Sequence, residues 1–114
     1  MAKLPQETTS IVLDLQARLL DTIDTAKAAE FTILEQFGQA EATIEALEQL
    51  QNITERLRNP YSRFCTLLLR IAEAQPVADA DTLELLNRTM EQAQATIAGA
   101  QVSIRESKAD LNLS

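Results

Sequence analysis

From Leu83 to Leu111 the chain repeats every seven residues. One seam position reads Leu83, Met90, Ile97, Ile104 and Leu111, and the other reads Leu86, Ala93, Ala100 and Ser107. Such a repeat buries both seams only when one helix lies along another for the whole stretch. Few folds remain open to a chain so patterned, and an all-α fold is expected. Two glycines and three prolines among 114 residues leave little material for turns. Ala, Leu, Glu and Gln are abundant and favour helix.

Upstream, the apolar positions also advance in helical steps. They run Val12, Leu15, Leu19, Ile23, Ala26, then Ile33, Phe37, Ala40, Ile44, Leu47, Leu50, Ile53 and Leu57. Gly38 is the weak point, since a mid-helix glycine costs about 1 kcal/mol relative to alanine. Its neighbours Gln36, Phe37, Gln39 and Ala40 include no proline and no turn cluster. The spacing therefore predicts one helix over 7–58. Gly38 and Gly99 are then explained by the close approach of a neighbouring helix. Asn59-Pro60 is expected to end that helix, because a residue before proline is pushed away from helical angles. Proline suits the first position of the next helix, over 60–75. Gln75 to Ala80 forms a loop. Asp81-Thr82-Leu83-Glu84 matches a capping box and opens a third helix over 81–108.

Lengths then suggest an architecture. A helix of 52 residues spans about 78 Å, and the two later helices with their loop hold nearly as many residues. A long antiparallel helical hairpin follows, as a single domain over 1–114 that reverses at Asn59-Pro60. The second helix is apolar around more than half its circumference, through Tyr61, Phe64, Cys65, Leu68, Leu69, Ile71 and Ala72. A layer two helices thick leaves that band exposed, so a homodimer completing a four-helix bundle is expected. The alternative is a monomeric bundle of three helices.

Sites for chemistry are scarce. Without a histidine, a nucleophilic triad lacks its usual base and a di-iron bundle lacks its Glu-x-x-His pattern. No glycine-rich phosphate loop is present. Glu41, Glu45 and Glu48 share a helical face but stand apart from any seam. No enzyme activity, cofactor or metal site is therefore expected. Cys65, the only cysteine, lies in the run Phe64-Cys65-Thr66-Leu67-Leu68-Leu69 and reads as a small buried hydrophobe. The net charge of −7 argues against a nucleic-acid or anionic-membrane partner. No stretch approaches the ~18 apolar residues of a membrane span. Met1-Ala2-Lys3-Leu4-Pro5 has no apolar segment behind its lysine, so a cytoplasmic location is expected.

One segment departs from the acidic background. Residues 56–70 hold Arg56, Arg58, Arg63 and Arg70 and no acid, a local +4 that leaves −11 for the rest. Glu41, Glu45, Glu48 and Glu55 could neutralise these arginines within the chain. The sharper alternative is a docking patch for an acidic protein partner, with Tyr61 and Phe64 as aromatic anchors. The expected function is that of a non-enzymatic adaptor, scaffold or assembly factor. It would act through self-association and the apolar and basic surface of residues 56–72. A regulatory module whose arginines capture an acidic partner or a phosphate-bearing ligand is the alternative.

Overall fold

The computed structural model describes residues 4–111, so Met1, Ala2 and Lys3 lie outside it. Among the described residues the chain forms three helices: α1 (Gln6–Phe37), α2 (Glu41–Glu73) and α3 (Ala80–Asp110). Each helix packs on both others. Gln16 Nε2 donates to Cys65 Sγ at 3.4 Å, and Ser107 Oγ to Gln49 Oε1 at 3.5 Å. These contacts set α2 antiparallel to both neighbours. The all-α expectation holds, in the form of the three-helix bundle. The helix breaks differ from those expected.

The long first helix divides at Gly38. A 52-residue helix of about 78 Å does not fit a bundle whose longest extent is 57 Å. Gly38 adopts φ 65° and ψ −162°, a region essentially reserved for glycine. A Cβ placed there or at Gly99 would meet nothing within 4 Å, so neither glycine serves close helix packing. Gly38 N–H donates to the Leu34 carbonyl at 2.9 Å and closes α1. Buried Thr43 then starts α2: its Oγ1 accepts from the Ala40 N–H at 3.1 Å and lies 2.9 Å from the Ala40 carbonyl.

Asn59-Pro60 does not end a helix. Pro60 sits inside α2 on its buried stripe, between Leu57 and Phe64. An interior proline forfeits a backbone hydrogen bond at about 3 kcal/mol. Leu50, Ile53, Leu57, Pro60, Phe64, Leu67 and Ile71 keep one helical phase across it, so burying that stripe outweighs the lost bond. On α1 the core positions are Val12, Leu15, Leu19, Thr22, Ala26, Ala29 and Ile33, with Ala29 filling the gap in the apolar stripe.

The apolar band on 61–72 is mostly covered by the chain itself. Phe64, Leu67 and Ile71 are buried, Tyr61 and Leu68 half-buried, and Cys65, Leu69 and Ala72 exposed. Cys65 is thus not the buried residue expected, and this band does not require a second copy. The α3 seams are as expected from Ile97 onward. Earlier in the helix Thr82 and Thr89 lie deeper than Leu83 and Met90, which are half-buried. Thr89 Oγ1 donates to the Leu85 carbonyl at 2.8 Å, so its hydroxyl is satisfied. No helix among the described residues is long and apolar enough to cross a membrane.

Asp79, rather than Asp81, caps α3. The Thr82 N–H donates to Oδ1 and the Thr82 hydroxyl to Oδ2, each at 2.8 Å. Backbone first and side chain second, these bonds hold the carboxyl below its ordinary value of 3.8. The folded chain favours the charged form. That stabilisation is complete above 3.8 and is lost as pH falls through the lower folded value. Asp79→Asn keeps a capping acceptor but does not titrate. Wild type should melt higher than this variant at pH 7, with the gap closing in acid. A gap equally large at pH 3 would show that Asp79 is not the cap.

Candidate docking groove between α2 and α3

Because α2 continues through Pro60, Arg56, Arg63 and Arg70 lie on one uninterrupted helix at seven-residue spacing. They share a face, with successive Cα atoms about 10.5 Å apart. The three side chains line adjoining depressions along the α2/α3 surface. Arg56 and Arg63 meet Gln92 and Thr96 of α3 in one of them. Arg63 and Arg70 border the next, beside Leu85. On the other side, Arg56 stands over Thr96, Gly99 and Ser103. Beyond it the groove reaches Glu45 and Glu48.

The far wall explains the groove's charge. In antiparallel helices, residues flanking the seam commonly pair opposite charges across it. Here α2 supplies arginines and α3 supplies Thr96, Ser103 and Gln92. All four arginines are exposed. Ion pairs among the described residues are Lys27–Glu30 at 3.1 Å and Arg88–Glu84 at 2.9 Å, each within one helix. None of Glu41, Glu45, Glu48 and Glu55 forms an ion pair with these arginines, although Glu45, Glu48 and Glu55 line depressions that Arg56 also borders.

Of the six residues singled out from the sequence, three converge. Arg58 is exposed but does not line these depressions. Tyr61 is half-buried against the core. Phe64 is 0% exposed and cannot anchor a partner. The α3 wall was missed as a site, although Thr96 and Ser103 are small polar residues standing directly before the seam residues Ile97 and Ile104. Among the described residues no group of three His, Cys, Asp or Glu side chains is placed to hold a metal ion. No protein-family model, curated protein or solved structure matches the chain in the comparisons made.

Proposed function

We propose that the chain is a non-enzymatic protein–protein interaction protein, an adaptor, scaffold or assembly factor, that captures an acidic helical segment in the α2/α3 groove. One observation carries this function: three exposed arginines in seven-residue register, none in an ion pair among the described residues, line a groove whose α3 wall offers Gln92, Thr96 and Ser103. Asp79 is near enough to Arg70 to feel its charge without pairing to it. Guanidinium groups favour forked contacts with carboxylates. Strung over about 21 Å, they suit an elongated partner better than a single phosphate, which needs cations converging on one point. This spacing favours the acidic-protein alternative over a phosphate-bearing ligand. The exposed thiol of Cys65 suits a reducing, cytoplasmic setting.

Exposed ion pairs are individually weak, and about 0.5 kcal/mol for each of three gives roughly tenfold in affinity. Their larger effect is on encounter rate and register. A labelled helical peptide carrying Glu every seven residues should bind about tenfold more tightly than its Gln counterpart. Added salt should erase the difference. Arg63→Glu with Arg70→Glu should abolish the preference while the far-ultraviolet circular dichroism is unchanged. Equal binding of both peptides to wild type would refute the groove's role.

A further inference from the structure

The outer face of α1 carries the complement of this groove. Glu7, Asp14 and Asp21 stand seven residues apart, are exposed, and make no ion pair among the described residues. Beside them Leu13 and Leu20 are 54% and 50% exposed, on the side of α1 away from its core positions Val12, Leu15 and Leu19. The three acids form a line of the same pitch as Arg56, Arg63 and Arg70, about 10.5 Å per step. The basic row repels itself, and an acidic row set against it offsets that repulsion. Exposed Arg18, one turn from both Asp14 and Asp21, tempers the acidic row's own repulsion.

We infer that the groove's occupant is α1 of a second copy of this chain, lying antiparallel to α2. Glu7, Asp14 and Asp21 of that copy then stand opposite Arg70, Arg63 and Arg56. The inference rests on the acidic-partner function above and names the partner. Direction follows from length. Antiparallel docking in this register keeps residues 7–36 of α1 alongside residues 41–70 of α2, whereas parallel docking would carry α1 beyond Asp24 past the end of α2 at Glu73. Gly99 leaves the α3 wall low, with open space where a side chain would stand, so an incoming helix can approach and cover Leu13 and Leu20.

The docked helix joins α2, α3 and their own α1 in a local four-helix cross-section. Its symmetry is constrained. The outer face of α1 and the α2/α3 groove lie on opposite sides of a three-helix bundle, so two copies cannot satisfy both contacts reciprocally. The contact is head-to-tail and leaves one groove and one α1 face free at the ends of each assembly.

Light scattering on the full chain tests this. Wild type should rise above 12.6 kDa with concentration and return to it in high salt. The groove variant R56E/R63E/R70E and the α1 variant E7K/D14K/D21K should each remain monomeric and helical, since all six positions are exposed. Mixed in equal amounts, they should associate again above 12.6 kDa, because the groove variant's α1 acids meet the other's arginines and its reversed groove of glutamates meets the other's lysines. The single substitutions R63E and D14K, mixed in the same way, serve as a gentler pair should a triple variant unfold. A wild type fixed at 12.6 kDa at every concentration overturns the inference, as does a mixture that fails to pair. A monomeric wild type that still prefers the Glu peptide removes only the second copy as occupant. Loss of that preference removes the groove function as well.

Discussion

Phe64→Ala should lower the folding stability by about 3–5 kcal/mol, the range for emptying a fully buried aromatic site. Phe64 is 0% exposed and lies on the α2 stripe between Pro60 and Leu67. Its ring is held by its own bundle, with no face left for a partner. Against a typical domain stability of 5–15 kcal/mol, the loss is a large share. The midpoint of urea unfolding should fall while the slope stays constant. An aromatic anchor on the surface would behave in the opposite way, with partner binding lost and the midpoint retained. An unchanged midpoint would place Phe64 outside the core.

Gly38→Ala separates the two possible breaks of the chain by the sign of its effect. In an unbroken helix over 7–58 the substitution would stabilise by about 1 kcal/mol. At φ 65° and ψ −162° it should destabilise by about 1–3 kcal/mol, because a Cβ makes that backbone region costly. Open space around the glycine means the cost is one of backbone conformation and not of a clash. For a domain of this size the melting temperature should fall by about 4–12 °C. A rise would mean that α1 and α2 are one helix.

Both substitutions probe residues whose role changed between sequence and structure. Glycine and proline punctuate chains through different costs. Pro60 removes one hydrogen bond, and a buried stripe in constant phase can compensate that loss. Gly38 permits a turn without demanding one, so its propensity alone does not reveal a break. The sequence favoured the proline because the local cost of a proline is visible there, whereas the burial that offsets it is not. The same limit applied to Cys65 and Leu69. They lie in an apolar run, yet the stripe Leu57, Pro60, Phe64, Leu67 and Ile71 turns them outward.

The site was legible in part. The arginine excess over residues 56–70 is plain in the sequence, as are the small polar residues Thr96 and Ser103. What joined them was the continuity of α2 through Pro60, which put Arg56, Arg63 and Arg70 in one line. Arg58 was indistinguishable from its neighbours until helical phase turned it away from the groove. The acids of α1 drew no notice, because exposed carboxylates on an acidic chain look like a solvated surface until a basic row of equal pitch exists to meet them.

By itself the sequence determined that this chain is all-α, that α3 carries a seven-residue repeat which its packing follows from Ile97 onward, and that basic charge is concentrated in one segment. These properties follow from composition and periodicity, which depend on neighbours along the chain. The tertiary structure alone decided where the chain turns, which apolar residues the bundle covers, and which arginines share a face. Each of those outcomes depends on helical phase carried across tens of residues, and on burial energies summed over surfaces that meet only after folding.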